Sequence, residues 1–321
     1  MDLPKVERVL IAGGAGFIGY RTANILREQG YAVAVVDNEV SGLKLPAPQN
    51  NLKPYLMDIR DKDGLGKIFD EFRPQRVVHL AAVHHIPTVE RQRDYAQDVD
   101  IIGTERVLAN CERHNVDMVV MASSAAVYAP IESILKEDET PLQAIDNYSL
   151  CKLTNEHQAR FWTERTGGHA RIMRFFNTVG PDDPTGHLLP DVLNQLRGKV
   201  GTATVRLGNI TPRRDYIYVE DTAAACAALV ANGEVLAPVE AFNVCRGEEY
   251  SVMELVDLIG KFMGLEIRHE VDPARVRPVD RQSILGDNSK LRRRTGWMWK
   301  NDFPAIIRKT ISGMGFSLKS S

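Results

Sequence analysis

The sequence predicts an α/β protein built on a doubly wound parallel sheet, and three features of its first half support this. Apolar, β-branched runs alternate with segments of helical periodicity from residue 8 to residue 176. The runs are apolar throughout, which is typical of strands that are buried on both faces of a parallel sheet. A glycine-rich stretch, residues 13–19, joins the first run to the first helical segment. Right-handed crossovers between such strands place helices on both faces of the sheet.

The individual elements follow from the same two periodicities. The predicted strands are 8–11, 31–36, 55–57, 76–80, 118–122 and 170–174. The predicted helices between them are 17–29, 64–72, 92–114 and 147–166.

Prolines and glycines interrupt this pattern after Phe176. A short strand at 204–207 and a helix at 252–263 follow. We therefore predict a first domain over residues 1–176 and a smaller α+β substrate lobe over residues 177–321, partly interleaved with the first. The alanine-rich segment 222–231 is expected to pack back against the first domain.

The composition favours a globular protein and excludes several other classes. A formal net charge of −2 over 321 residues gives no reason to expect nucleic acid as a partner. The chain has no apolar run of about 18 residues and no basic segment followed by an apolar one at its start, so neither a membrane span nor a secretory signal is predicted. The four cysteines lack the spacing of a metal site, and reduced thiols in the cytoplasm are the expectation.

The glycine-rich stretch has the spacing of a turn that binds a dinucleotide. A strand, a G-x-x-G-x-x-G turn and a helix follow one another, and each glycine has its own purpose. Gly13 permits the tight turn, Gly16 lets a pyrophosphate approach the backbone, and Gly19 lets the helix pack against the sheet. The anion then lies on free N–H groups at the helix N-terminus. The alternative is a glycine turn with a purely structural role.

Asp37 ends the second predicted strand, 21 residues after Gly16. A carboxylate there can accept hydrogen bonds from both ribose hydroxyls of an adenosine and repels a 2′-phosphate, so the sequence predicts NAD rather than NADP. The alternative is an ordinary turn aspartate, since Asp-Asn is a turn pair. The glycine turn upstream favours the cofactor role.

A tyrosine and a lysine form the second candidate site. On a helix, Tyr148 and Lys152 lie on one face, about 6 Å apart along the axis. An ammonium near a phenol is expected to lower the pKa of Tyr148, and Lys152 can also hold a nicotinamide ribose. Ser124 lies at the end of the fifth strand, where crevice residues of such sheets are found. The three side chains predict a proton-transfer site beside a hydride acceptor.

These motifs resemble the extended short-chain dehydrogenase/reductase family, in particular its nucleotide-sugar epimerases and dehydratases. The resemblance spans nearly the whole chain and implies a Rossmann-like first domain with a retained NAD. The segments that carry it are GGAGFIG at 13–19, VVDN at 35–38, MDIRD at 57–61, HLAA at 79–82, SSAAVY at 123–128, YSLCK at 148–152, RFFNTVGP at 174–181, RRDYIYVED at 213–221, FNV at 242–244 and RPVD at 277–280.

The resemblance also implies further ligand-binding residues. It places Asn177, Arg214 and Arg277 at the diphosphate of a UDP-sugar, since the arginine fork matches phosphate oxygens. The alternative for the two arginines is a surface ion pair with Asp215 or Asp280. The residues implied for the nucleotide end of the substrate also include His187 and Leu188, and those implied for NAD include Phe17, Ile18, Asn38, Asp58, Ile59, Leu80, Ala81, Ala82 and Lys152.

Several positions depart from the family's pattern. Val99 stands where an asparagine is frequent near the cofactor. Ala125 and Ala126 stand where 4,6-dehydratases and the decarboxylases similar to them carry acidic residues. Without that carboxyl pair the usual elimination machinery is absent, which argues against an ordinary 4,6-dehydratase.

Two other features are unusual for an epimerase. His84 and His85 follow the fourth strand, on a loop expected to line the sugar, and Cys151 precedes Lys152 on the catalytic helix. A histidine or cysteine over a sugar ring could replace the missing carboxylates as acid or base. The alternatives are loop histidines that bond to the backbone and a small cysteine that packs the helix.

The prediction that follows is a C4 epimerase of a UDP-hexose or UDP-N-acetylhexosamine, acting through a 4-keto intermediate. The alternative is an NDP-hexosamine dehydratase that eliminates water across C5 and C6 before C4 is reduced again, as in tunicamycin biosynthesis, whose dehydratase the chain also resembles. A non-catalytic dinucleotide-binding scaffold is a third hypothesis, which the presence of Ser124, Tyr148 and Lys152 disfavours. Helices 92–114 and 147–166 often form a dimer's four-helix bundle in this family, so a homodimer is expected.

Overall fold

The computed structural model describes residues 7–41, 43–183, 186–234, 237–276 and 281–319, and the candidate residue Arg277 lies outside these ranges. The strands are β1 Arg8–Ala12, β2 Ala32–Asp37, β3 Leu52–Leu56, β4 Arg76–His79, β5 Met118–Ser124, β6 His169–Phe175, β7 Asn177–Val179, β8 Thr202–Leu207, β9 Arg213–Tyr218, β10 Val239–Val244, β11 Glu249–Ser251, β12 Glu266–Val271 and β13 Ser283–Ile284. The α-helices are α1 Gly19–Glu28, α2 Lys62–Phe72, α3 Ile86–Arg91, α4 Arg93–Gln97, α5 Thr104–Arg113, α6 Asn147–Thr166, α7 Leu188–Gln195, α8 Val219–Ala231, α9 Val252–Met263, α10 Ser289–Thr295 and α11 Phe303–Gly313.

The predicted parallel sheet is confirmed, and it has seven strands in the order β10-β6-β5-β4-β1-β2-β3. Every neighbouring pair in it is parallel. The central strands are buried along almost their whole length, as their uninterrupted apolar sequences predict. Helices cover both faces, with one apolar core around Leu26 and Leu229 and another around Phe69, Leu108 and Trp162. The fold is therefore Rossmann-like, with helices on each side of the sheet.

The carboxyl ends of the parallel strands lie together at one edge of the sheet, where ligands bind in such folds. The glycine turn follows β1, and Asp37 ends β2. The loop with His84 and His85 follows β4, and Ser124 ends β5. The topology therefore brings residues from distant parts of the sequence to the same edge.

The segment from 84 to 114 differs from its predicted structure. Helix α3 begins at Ile86, directly after the two histidines, where the sequence predicts a loop. The helix predicted over 92–114 is a continuous helical run, but Asp98–Gly103 is π-helical between α4 and α5. Apolar periodicity does not reveal this wider turn, because a short π-helical stretch inside an α-helix is defined by its backbone hydrogen bonds and not by the residue pattern.

The second half of the chain builds a smaller lobe and also returns to the large sheet. Strand β9 pairs with β7, β11 and β13, and β8 pairs with β12. A separate apolar core forms around α7, α9 and α11. Strand β10 joins the large sheet beside β6, and α8 packs against α1, which confirms the packing predicted for segment 222–231. Within the described ranges, no helix has the length and apolar character needed to cross a membrane.

Candidate active site

A cavity of about 830 Å³ opens at the carboxyl edge of the sheet, and residues of both lobes line it. This volume lies within the range of small-molecule sites. Of the candidate residues that the structure describes, Cys151 alone is absent from the wall. The wall contains Gly13, Gly16, Phe17, Ile18, Gly19, Asp37, Asn38, Asp58, Ile59, Leu80, Ala81, Ala82, His84, His85, Ser124, Tyr148, Lys152, Asn177, His187, Leu188 and Arg214.

The glycine turn forms a cradle that side chains would fill. Gly13 has a φ of +82°, and a Cβ there would lie 2.6 Å from the backbone nitrogen of Ala81. A Cβ on Gly19 would lie 2.1 Å from the carbonyl oxygen of Gly13. Gly16 is less crowded, at 3.2 Å from the same oxygen. Positions 13 and 19 therefore accept only glycine, and α1 begins at the end of the turn, as a pyrophosphate site requires.

Asp37 holds its carboxylate on the same wall. Its Oδ2 accepts the backbone N–H of Ala15 at 3.0 Å, and its Oδ1 accepts that of Glu39 at 2.8 Å. These bonds orient the carboxylate and leave each oxygen a further lone pair. The turn role and the ligand role predicted for Asp37 are therefore compatible with each other.

Asp58 organises the neighbouring part of the wall. It accepts the side-chain amide of Asn38 at 2.9 Å and the guanidinium of Arg60 at 2.9 Å. The Arg60 guanidinium beside it holds the pKa of Asp58 at about 2. Arg60 also reaches Asp98 at 3.2 Å, so this ion pair links the loop after β3 to the π-helical segment.

Helix α6 carries Tyr148 and Lys152, and its end signals explain why it has the predicted length. Asp146 accepts the backbone N–H of Ser149 at 2.7 Å, and the Ser149 hydroxyl accepts that of Asp146 at 3.1 Å, which is a capping box. Gly167, with a φ of +72°, ends the helix. The Nζ atom of Lys152 lies 5.9 Å from the centre of the Tyr148 ring.

The surroundings of Tyr148 raise the pKa of its phenol, whereas the spacing to the lysine predicts that the pKa is lowered. Desolvation in the cavity wall is the main cause of the raised pKa. The Ser124 hydroxyl opposes it by hydrogen bonding, and the charge of Asp100 adds to it. An ammonium nearly 6 Å from the ring is too distant to reverse the cost of removing a phenolate from water.

Asp100 is a buried residue of this site that the sequence analysis does not identify. It lies in the π-helical segment, has 0 % exposure and accepts the backbone N–H of Val83 at 2.7 Å through Oδ1. Its Oδ2 is buried and has no hydrogen-bond partner within the described part of the chain. Burial raises the pKa of Asp100, and the nearby Lys152 ammonium opposes that shift. An aspartate on the apolar face of the 92–114 pattern is the signal that could have identified it.

Cys151 packs inside the protein and does not face the cavity. Its side chain has 0 % exposure, and burial raises the pKa of its thiol to about 11. Adjacent residues of a helix point about 100° apart, which separates Cys151 from Lys152. This placement disfavours a direct role of Cys151 as acid or base and favours the packing interpretation.

His84 and His85 lie on the wall together with His187, which precedes α7. The ring centres of His84 and His187 are 5.8 Å apart, and those of His85 and His187 are 6.0 Å apart. His84 is exposed to the cavity, yet the protein atoms around it desolvate the ring and, with the charge of His187, lower its pKa to about 4. Nδ1 of His85 lies within hydrogen-bond distance of the Thr88 hydroxyl, at 2.9 Å from its Oγ1.

Asp183 completes this group, and the sequence analysis does not name it. Its Oδ2 lies 2.8 Å from Nδ1 of His187, and its side chain is 2 % exposed. The two residues are four apart in the sequence, which is the signal that could have indicated the pair. The smaller lobe therefore adds an imidazole with a buried carboxylate to the cavity wall.

Positive side chains occupy another part of the wall. Arg214 and Asn177 line the cavity, as the resemblance implies. Asp215 is fully buried and accepts two backbone N–H groups, so it is not the surface partner that the alternative for Arg214 requires. Arg281, which the sequence analysis does not name, also lines the cavity and donates to a backbone carbonyl after β5.

A buried ion pair supports the catalytic helix from behind. Arg174 of β6 and Glu156 of α6 lie 2.7 Å apart, with side chains that are 5 % and 8 % exposed. Glu156 also accepts the hydroxyl of Ser123 at 2.6 Å, next to Ser124 in β5. This network therefore couples the helix of Tyr148 to the strand of Ser124.

The fold and the site define a short-chain dehydrogenase/reductase that acts on nucleotide sugars. The chain belongs to the GDP-mannose 4,6 dehydratase family, whose model matches residues 10–310. This membership confirms the family and the enzyme class predicted from the sequence motifs.

Similar proteins include several 4-epimerases. The chain is 30 % identical to the bifunctional UDP-glucose 4-epimerase and UDP-xylose 4-epimerase 1 of Pisum sativum, with 94 % of each chain covered. The UDP-glucose 4-epimerase of Thermus thermophilus, in complex with NAD, matches with a TM-score of 0.84 at 28 % identity, covering 96 % of this chain and 98 % of that one. The UDP-glucose 4-epimerase of Thermotoga maritima, with UDP-glucose, matches with a TM-score of 0.85 at 25 % identity, covering 95 % and 98 %.

Proposed function

We propose that the chain binds NAD and transiently oxidises C4 of a UDP-activated hexose, and that the returning hydride inverts this carbon, which makes the chain a 4-epimerase. One observation carries the proposal: Ser124, Tyr148 and Lys152 share one cavity with the glycine turn and Asp37. The ligands of the Thermus and Thermotoga neighbours, NAD and UDP-glucose, support the two ligand classes.

The residues of the cradle fit NAD. The glycine turn at the start of α1 suits a pyrophosphate, and the oriented Asp37 carboxylate suits two ribose hydroxyls. The same negative charge disfavours the 2′-phosphate of NADP. When bound, NAD supplies a hydride acceptor that is regenerated in every cycle, so no external oxidant is consumed.

Ser124 and Tyr148 transfer the proton of the C4 hydroxyl. Because its pKa is raised, the Tyr148 phenolate is a strong base once it has formed. The Ser124 hydroxyl stabilises that phenolate by hydrogen bonding, and the buried Lys152 ammonium adds a positive charge one helical turn away. When the ketone is reduced, the phenol returns the proton to the C4 oxygen.

The positive part of the wall is proposed to hold the UDP diphosphate. Arg214, Arg281 and Asn177 line the cavity, and guanidinium groups match phosphate oxygens. Leu188 offers apolar surface for the base. Arg277, outside the described residues, is proposed for the diphosphate only on the family motif at 277–280.

A second candidate is the elimination of water across C5 and C6 of a UDP-hexosamine, with later reduction of C4. The histidines on the wall favour it, because His84, His85 and His187 can move protons where Ala125 and Ala126 cannot. Both candidates begin with the same oxidation at C4, and they differ in what happens to the 4-keto sugar.

Product analysis separates the candidates. The purified chain is incubated with UDP-glucose, UDP-galactose, UDP-GlcNAc and UDP-GalNAc without added NAD, and the products are examined by mass spectrometry and NMR. A product of unchanged mass that is inverted at C4 supports the 4-epimerase. A product lighter by one water supports the dehydratase and contradicts the epimerase. If none of the four sugars is converted, C4 chemistry on these UDP-sugars is contradicted.

We also propose that the chain is a homodimer, paired through α6 and the helical run before β5. Leu150 and Phe161 lie eleven residues apart on one face of α6 and are 44 % and 52 % exposed. Ile102, in the π-helical segment, is 46 % exposed. Light scattering is expected to give a dimer mass for the natural chain and a monomer mass for Phe161→Glu, and a monomeric natural chain would contradict the proposal.

A further inference from the structure

The pair formed by His187 and Asp183 is an oriented base that C4 oxidation does not use. The Asp183 carboxylate is 2 % exposed and lies 2.8 Å from Nδ1 of His187, whose own side chain is 39 % exposed and lines the cavity. A carboxylate accepts hydrogen bonds, so Nδ1 carries the proton and the basic lone pair of the neutral ring is on Nε2. General-base sites use this arrangement, in which a buried carboxylate holds an imidazole in one tautomer.

His84 connects this pair with the catalytic helix. Its ring centre lies 5.8 Å from that of His187, and both rings line the cavity. The charges of His187 and Lys152 both act on His84, in the direction that lowers its pKa. His84, His187, Tyr148 and Lys152 therefore share the wall of one cavity, in which we place the sugar.

The chemistry of a 4-keto sugar gives such a base a use. The C–H groups at C3 and C5 become acidic, because the ketone stabilises the resulting carbanion as an enolate. Tyr148 already holds the proton of the C4 hydroxyl at that stage. Ala125 and Ala126, which also line the cavity, cannot accept a proton. A second base on the wall is therefore required for any proton transfer at carbon.

We propose that His187, oriented by Asp183, is an acid–base catalyst for the carbon next to the C4 ketone of the bound UDP-sugar, a proposal that rests on the proposed C4 oxidation. Nε2 of His187 takes the proton from carbon. The electron pair of that C–H bond forms the enolate C=C bond, and the carbonyl pair moves to the C4 oxygen. Return of a proton from the imidazolium restores the ketone.

The same imidazolium can also supply the proton that the leaving hydroxyl group needs in an elimination. If the enolate expels a hydroxyl group from the neighbouring carbon, the proton on His187 joins it, and one molecule of water leaves. No external oxidant, reductant or metal enters this step, because the carbon skeleton loses one proton and one hydroxide.

Solvent deuterium exchange tests the proposal. The purified chain with its retained cofactor is incubated in D₂O with UDP-glucose or UDP-GlcNAc, and the recovered sugars are examined by NMR at C3, C4 and C5. Bound NADH is followed by absorbance. Deuterium is expected at C3 or C5. When the rate of exchange is divided by the amount of bound NADH, it is expected to be at least 100-fold lower in His187→Gln. His269→Gln, an exposed histidine of β12, is the control and should retain the exchange.

The outcomes separate this proposal from the proposed function. Bound NADH without deuterium at C3 or C5 overturns the role of His187 and leaves C4 oxidation intact. Exchange that persists in His187→Gln also overturns it. If neither bound NADH nor a converted sugar appears with UDP-glucose, UDP-galactose, UDP-GlcNAc or UDP-GalNAc, the proposed function itself fails.

The ligand-free protein provides an independent readout. Nitrogen-15 NMR of the neutral His187 ring is expected to show the proton on Nδ1. Asp183→Asn is expected to remove this preference for Nδ1. The same variant is expected to lower the deuterium exchange about 10-fold, with a smaller change in KM. A ring that is protonated on Nε2 in the natural chain overturns the proposal.

Discussion

The Nζ atom of Lys152 lies 5.9 Å from the centre of the Tyr148 ring, one turn away on the same face of α6. At this separation the ammonium supports a phenolate through its charge, while desolvation still raises the pKa of Tyr148. The hydroxyl of Ser124 acts in the opposite direction and lowers the pKa of the phenol. The site therefore depends on three contributions of different kinds, and each can be removed separately.

Tyr148→Phe removes the base and keeps the ring. We expect kcat to fall by about 100- to 10,000-fold, which is the usual contribution of a positioned general base. NAD should still be retained, because the cradle and Asp37 are unchanged. Turnover of UDP-sugars and the NAD content of the purified variant are the two measurements. Turnover at the natural rate would contradict the role of Tyr148.

Asp100→Asn tests the effect of the buried Asp100 charge on the pKa of Tyr148. The charge of Asp100 raises the pKa of Tyr148, so its removal should make the phenolate form at lower pH. The base must be deprotonated to act, so kcat/KM should rise with pH, and the rising limb should move to lower pH in the variant. Asp98→Asn, on the same π-helical segment but paired with Arg60, is the matched control and should leave the limb in place. A limb that stays or moves upward in Asp100→Asn contradicts the account.

Asp37→Ala removes the carboxylate proposed to bind the adenosine ribose. Hydrogen bonds to a charged group contribute about 1.5 to 3 kcal/mol each, so the loss of two should weaken NAD binding about 100-fold or more. Discrimination against NADP should also decrease, because the repulsion of a 2′-phosphate is lost. Dissociation constants for NAD and NADP provide the test. Equal NAD affinity in variant and natural chain would show that Asp37 is only a turn residue.

The ion pair of Arg174 and Glu156 should be a stability determinant. Both side chains are almost fully buried, and removal of one partner leaves an uncompensated charge. Arg174→Met should lower the free energy of unfolding by about 3 to 5 kcal/mol in urea denaturation. Lys53→Met breaks the exposed pair of Lys53 and Glu71 and should change the free energy of unfolding by less than about 1 kcal/mol. A similar loss of unfolding free energy in the two variants would contradict the distinction between the buried and the exposed ion pair.

The sequence predicts the sheet well because its information is local. Uninterrupted apolar runs identify the parallel strands, and the glycine turn identifies the first crossover. The length of α6 is also predictable, since Asp146 and Gly167 provide end signals in the sequence. These elements carry most of the candidate site.

The parts that sequence reasoning misses depend on distant contacts. The raised pKa of Tyr148 comes from desolvation by the surrounding wall, which no spacing encodes. The buried state of Asp100 depends on a π-helical segment that packs against other elements. The approach of His187 to His84 brings the two lobes together, so only the folded chain reveals it. The pair of His187 with Asp183 is local, and its spacing of four residues is visible in the sequence.

The fate of the hydrogen at C4 tests the central claim most directly. UDP-glucose that carries deuterium at C4 is incubated with the purified chain in ordinary water without added NAD, and the recovered nucleotide sugars are examined by NMR. We expect conversion to the C4 epimer with deuterium retained at C4, because the hydride leaves and returns within one active site. Loss of the deuterium to solvent, or conversion that requires added NAD in proportion to product, would contradict it.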